Sequence, residues 1–207
     1  MFCALLLLLT LAAPPADPVA AALESYRNVA SYRVTLRSGH GNGEEVIRYS
    51  YKKPGFIRME FVKPHPGALL VYNPLSKTVR LRPFGFTKSL ILTLSPDNRL
   101  VKSARGHTVD ASDIGALLTG VQALQARGAT SIQGEETVAG KPTLMVEVEG
   151  EPGVAVDGVH RYRLWLDPAT WLPLRVLAYG PSGDIVDEAR MDDLEVNMPL
   201  DEGLFAF

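Results

Sequence analysis

Residues 46–86 read VIRYSYKKPGFIRMEFVKPHPGALLVYNPLSKTVRLRPFGF. Four short runs alternate apolar and polar residues, and every break between them carries Pro, Gly or Asn. That pattern specifies consecutive antiparallel strands with one greasy face and one wet face. Ile47, Tyr49 and Tyr51 lie on one side, with Arg48, Ser50 and Lys52 on the other. Ile57, Met59 and Phe61 oppose Arg58 and Glu60, and Val79 and Leu81 oppose Arg80 and Arg82. A wide sheet with one apolar face needs that face covered, by its own helices or by a ligand.

The rest of the chain supplies candidate covers. Asp17-Pro18 is a helix start, because Asp caps and Pro is tolerated in the first helical position. Val19, Ala22, Leu23, Tyr26 and Ala30 follow at helical spacing, which predicts a short amphipathic helix over residues 18–30. Tyr32, Val34 and Leu36 then alternate as a strand. A second helix is predicted over residues 112–127, capped by Asp110 or Ser112 and stopped by Gly128. Its apolar stripe is Ile114, Leu117, Leu118, Val121 and Leu124, opposite a small polar face, so it packs with one side only. Further strands are predicted over 131–135, 137–138, 143–149, 159–167, 172–179 and 185–196, joined by hairpin turns. The tail, with Phe205 and Phe207 spaced for one face, reads as a closing edge strand.

Length and composition describe one ordinary globular domain: 207 residues, 46% hydrophobic and 21% charged. Net charge is -2, and strand by strand the arginines alternate instead of clustering, so no basic field draws the chain to nucleic acid. Residues 1–16 contain an apolar run too short to span a bilayer but suited to a secretory signal, although no Lys or Arg precedes it. The expected organisation is a signal over 1–16 and a single domain over 17–207, exported to the periplasm. Cys3 is the only cysteine and precedes that run, so a mature chain would have no disulfide or thiol chemistry.

Catalytic spacing is missing. His40, His65, His107 and His160 form no metal-binding pair, and no G-x-S-x-G elbow occurs. The Gly-rich segment at 38–43 leads into a strand pattern, whereas a phosphate loop must open a helix. Adjacent carboxylates such as Glu135-Glu136 point to opposite faces of a strand. No enzyme, no cofactor and no metal is expected.

The apolar strand faces remain as the candidate site: Tyr49, Tyr51, Ile57, Met59, Phe61, Leu69, Val71, Val79, Leu81, Leu164 and Leu166, with Phe84 and Phe86 on the following loop. Burying an acyl chain of about sixteen carbons there would contribute roughly 12 kcal/mol before ordering costs. Equally, the helices could fill the space and leave these residues as plain core. The residues alone leave both readings open.

YSYKKPGFIRMEFVKP, VYNPLSKTVRL and RYRLWLDPATWLPLRV together resemble the periplasmic outer-membrane lipoprotein carrier superfamily, LolA-like and LolB-like. The middle of the chain, LTLSPDNRLVKSARGHTVDASDIGALLTGV, is closer to uncharacterised relatives than to the carrier itself. The resemblance implies a mainly β (α+β) fold, a strongly curved antiparallel half-barrel with short helices packed in its concave side. It implies a non-enzymatic carrier that takes acyl chains of lipoproteins or other lipids under a lid of Ile114, Leu117, Leu118 and Val121. Membrane contact would be transient at most. The position that latches the lid falls on Lys53, where the carrier has an Arg; Lys lacks the planar guanidinium fork. The alternative is an envelope sensor or scaffold in which the same fold binds a protein partner.

Overall fold

The computed structural model describes residues 15–39, 43–85, 90–103 and 106–206. Helix α1, Pro18–Arg27, begins where expected: the Asp17 carboxylate accepts from the Val19 and Ala20 N–H groups, both at 3.0 Å. It ends at Arg27, short of the expected residue 30. Five strands follow as a meander: β1 Ser31–Ser38, β2 Glu45–Lys52, β3 Phe56–Lys63, β4 Leu69–Asn73 and β5 Thr78–Arg82, then the short β6 Leu92–Leu94. Helix α2, Ile114–Gln125, carries the chain across to the second meander. That consists of β7 Gly128–Val138, β8 Lys141–Gly150, β9 Arg161–Leu166, β10 Pro173–Tyr179 and β11 Ile185–Val196.

All eleven strands belong to one antiparallel sheet, in the order β6-β5-β4-β3-β2-β1-β11-β10-β9-β8-β7. The two meanders join where the first strand pairs with the last, Tyr32 opposite Val196 and Leu36 opposite Met191. The first and last strands of this order, β6 and β7, are edges and do not pair with each other. This corrects the expected architecture: the sheet is open and is not closed into a curved half-barrel. Closure would need a staggered register linking the two edges. Helices covering one face bury its apolar side chains without it.

Both helices lie on the same face and pack against each other. The N-terminal half of α2, through Ile114 and Leu118, joins Ile47, Tyr49, Ile57, Leu70 and Val79 of the first meander. Its C-terminal half, through Val121 and Leu124, joins Val146, Val148, Leu164 and Leu166 of the second. Helix α1 bridges the same two clusters with Ala22 and Val19. The opposite face has a smaller apolar patch, where Val138 at the tip of the β7–β8 hairpin packs with Trp165, Leu174 and Leu177.

Two sequence expectations are corrected in detail. The segments 131–135 and 137–138 are parts of one eleven-residue strand, β7, with a register shift between Ile132 and Gly134. The tail is not an edge strand. Residues Glu202–Phe205 make a 3₁₀ turn, started by the Asp201 carboxylate accepting from the Gly203 N–H at 2.6 Å. The turn lies on the face opposite the helices, where Arg58 Nη1 donates to the Leu204 carbonyl at 2.9 Å and the Phe205 ring sits 5.8 Å from Phe56. Phe207 lies outside the described residues.

Leu166 is fully buried where β9 meets its neighbours. Leu166→Ala is expected to cost about 2–5 kcal/mol through lost transfer energy and a residual cavity. Urea unfolding should show the loss as a lower midpoint with an unchanged slope.

Candidate functional site

The helix-covered face was the sequence candidate for a ligand cavity, so its filling decides the matter. Tyr49 and Ile57 are each 1% exposed, Val79 and Leu166 0%, and facing them Leu118 is 1% and Val121 0%. Tyr51, Leu81, Ile114 and Leu164 are likewise buried, while Met59, Phe61 and Leu117 pack against the same clusters from partly buried positions. The helices fill this face. Its side chains are packed core in close contact, as protein interiors ordinarily are.

Four of the expected lining residues lie elsewhere or outside the described chain. Leu70 pairs with Met59 and Leu81, and Tyr72 pairs with Ile57 and Val79, so these two face the helices. Leu69 and Val71 therefore point to the opposite face, where they are buried. The run Leu69–Tyr72 is continuously apolar, and only the strand register assigns its sides. Phe84 is 48% exposed on the loop after β5, and Phe86 lies outside the described residues.

The geometry that sequence reading missed is a set of tyrosine hydroxyls receiving the start of α2. The Tyr32 ring stacks on Tyr51 at 5.0 Å and on Tyr49 at 5.7 Å, and Tyr26 of α1 leans on Tyr51 at 6.2 Å. Asp113, not Asp110 or Ser112, caps α2: its Oδ1 accepts from the Gly115 N–H at 2.6 Å and the Ala116 N–H at 3.1 Å. The same oxygen accepts from the Tyr26 hydroxyl at 2.8 Å. The Ile114 N–H donates to the Tyr32 hydroxyl at 3.3 Å. Ser112 Oγ donates to the Val109 carbonyl at 2.6 Å, so across their 3.2 Å contact the Tyr49 hydroxyl is the donor to Ser112. Gly115 is required here, because a Cβ would come within 2.3 Å of the Tyr26 ring. The sequence signal was available: Asp directly before an apolar helical stripe, and tyrosines in phase on adjacent strands.

Burial raises the hydroxyl pKa of Tyr26, Tyr32, Tyr49 and Tyr51, and the nearby Asp113 charge pushes in the same direction. Lys53, the expected latch, donates from Nζ to the Arg27 carbonyl at 2.6 Å. It thus holds the C-terminal end of α1, where a cation is favourable.

Away from its apolar patch, the opposite face carries cross-strand ion pairs. Arg37 bonds Asp192 at 2.7 Å and Glu44 at 3.0 Å, Arg175 bonds Glu188 at 2.8 Å, and Arg163 bonds Glu147 at 2.7 Å. A concavity of about 570 Å³ opens there beneath the Val138-Ala139 hairpin tip, lined by charged residues of β1, β10 and β11. Among the described residues no three His, Cys, Asp or Glu side chains could together hold a metal ion. No helix among them is long and apolar enough to cross a membrane.

The described residues form one open antiparallel sheet with two helices docked on a single face. Residues 87–206 match the model of the MucB/RseB N-terminal domain, more than half of the chain, and the protein belongs to that family. The family is periplasmic and its members are not enzymes; both statements hold for this protein. A search of curated proteins finds no match.

Among solved structures, an uncharacterized conserved protein of Thermus thermophilus superposes with a TM-score of 0.55 at 12% identity, covering 91% of this chain and 90% of that one. MucB of Pseudomonas aeruginosa, in its complex with MucA, gives 0.54 at 17% identity, covering 91% of this chain and 59% of that one. The lipoprotein LppX of Mycobacterium tuberculosis gives 0.51 at 12% identity, with 89% and 95% covered. At these identities the shared feature is the fold. The expected acyl-chain carrier is overturned: its cavity is filled by α1 and α2, and the MucB of the family is found in a protein–protein complex.

Asp113→Ala removes a helix cap and the acceptor of the Tyr26 hydroxyl, and is expected to cost about 1–3 kcal/mol. Amide exchange should accelerate first at Gly115 and Ala116. A second expectation follows from the raised tyrosine pKa values. Their stabilisation is complete below the unfolded value of about 10 and is lost as pH rises through the folded values. Absorbance titration should therefore show these phenols ionising together with alkaline unfolding, not ahead of it.

Proposed function

We propose that the protein is a periplasmic docking module, an envelope sensor or scaffold that binds a protein partner through its outer surface. The observation that carries this reading is the filled helix face: with Leu118, Val121, Ile57 and Leu166 packed to exclusion, binding falls to exposed strands, edges and loops. The complex of P. aeruginosa MucB with MucA supports a protein as the partner class. In this reading residues 17–207 form one binding domain, delivered by a signal over residues 1–16, which lie mostly outside the described residues.

The mechanism needs no moving lid. Helix α2 holds both meanders in one sheet, and the sheet presents fixed rows of side chains and backbone groups to a partner. Rigid presentation lowers the ordering cost of association.

Native mass spectrometry of the protein isolated from the envelope tests this. A stoichiometric polypeptide adduct is expected, retained in Met59→Ala on the helix face. A lipid-sized adduct without polypeptide, lost in Met59→Ala, would sink the proposal.

A further inference from the structure

The two edges of the sheet differ in kind. An edge strand offers unpaired backbone groups, and proteins usually blunt it with charge, bulges or brevity. The β7 edge carries a bulge between Ile132 and Gly134, and Glu135 and Glu136 follow directly. The β6 edge, Leu92–Leu94, has neither device: only its shortness protects it, and no charged residue occurs from Ser89 to Pro96. Leu90 and Ile91 just before it are 43% and 37% exposed, and Leu100 just after it is 66% exposed.

The same end of the sheet concentrates positive charge. Residues 63–102 hold seven Lys or Arg and one acid, Asp97, a net of +6 in a chain of net -2, which leaves -8 for the remainder. Along single strands the arginines alternate, but β4, β5 and β6 are adjacent at one end, so the topology gathers their charge there. Lys77, Arg80, Arg99 and Lys102 are exposed. Arg82 Nε is, among the described residues, the one buried side-chain nitrogen or oxygen without a hydrogen-bond partner.

Resting on the reading of a protein partner, we infer that β6 is the docking edge, and that its occupant is an extended acidic–apolar segment of the partner added as a twelfth strand. Register sets the chemistry of that segment. Leu92 and Leu94 pair with Leu81 and Val79 and pack into the helix-side core, so alternate residues of the incoming strand are apolar on that side. Thr93 pairs with Arg80 on the other side, so the intervening residues lie opposite Thr93 and are acidic, within reach of the long, exposed Arg80 side chain one strand further in. Main-chain bonds give such a strand its affinity and alternate side chains its specificity. With three residues in β6 the backbone share is small, and charge selects the partner. A second copy of β6 is disfavoured, because it would bring two basic ends together.

The test is fluorescence anisotropy with labelled alternating Glu-Leu and Lys-Leu octapeptides on the full protein. The Glu-Leu peptide is expected to bind at least about tenfold tighter, with affinity falling as salt rises. Thr93→Pro, which removes an edge N–H and disfavours strand pairing, and the exposed-site variant Arg80→Glu should each weaken it at least about tenfold. Both variants are checked for unchanged circular dichroism and melting temperature, and Arg80→Glu stands if Thr93→Pro fails to fold. Equal binding of the two peptides overturns the inference, as does insensitivity to Arg80→Glu. Tighter association with anionic phosphatidylglycerol vesicles than with the Glu-Leu peptide, or sedimentation showing β6-dependent self-association, also overturns it. A polypeptide adduct in native mass spectrometry that survives Arg80→Glu would remove β6 as its site and leave the protein-partner reading intact.

Discussion

One carboxylate oxygen, Oδ1 of Asp113, accepts three hydrogen bonds: two from the backbone at the start of α2 and one from Tyr26 of α1. It thereby caps one helix and ties it to the other. The Tyr32 hydroxyl accepts the adjacent Ile114 N–H, so the helix terminus is satisfied inside the protein by side chains, its own cap and Tyr32 of β1. This docking orients α2 so that its first half meets the first meander and its second half the second. The sheet crosses from one meander to the other only through β1 and β11, and the helices reinforce that single seam.

The filled face changes where function can lie. A ligand under α2 would have to displace side chains that are almost wholly buried, and it would free a helix terminus whose backbone donors are now satisfied. Leaving such groups unpaired is costly in a low-dielectric interior. The outer face offers its partners different materials: cross-strand Arg–carboxylate pairs above β1, β10 and β11, and an apolar edge set among cations at β6. Paired charges that already satisfy each other gain little from a new ligand, whereas the β6 edge has no strand neighbour on one side among the described residues.

Much of the strand order could be read directly, because alternation is a period-two signal and the hairpin turns carry Pro, Gly and Asn. The positions of both helices were legible for the same kind of reason, although α1 stops at Arg27 and α2 is capped by Asp113. Leu69 and Val71 were not assignable, since four consecutive apolar residues have no phase. The tail misled because two aromatics at spacing two suit a strand, while Asp201 and Gly203 close a turn instead. The charged end escaped notice because charge was judged within strands, and adjacency between strands is a property of the fold.

By itself the sequence determined the periodicities: strands with one apolar face, two helices with one apolar stripe each, and no spacing suited to catalysis or metal binding. Only the tertiary structure decided whether the two meanders would join through β1 and β11 and whether the sheet would stay open. Only it decided whether the helices would line a cavity or fill it. These are questions of volume and register between residues far apart in the chain, and local pattern carries neither. The stretch 46–86 specified a greasy face; the tyrosines and Asp113 specified what covers it.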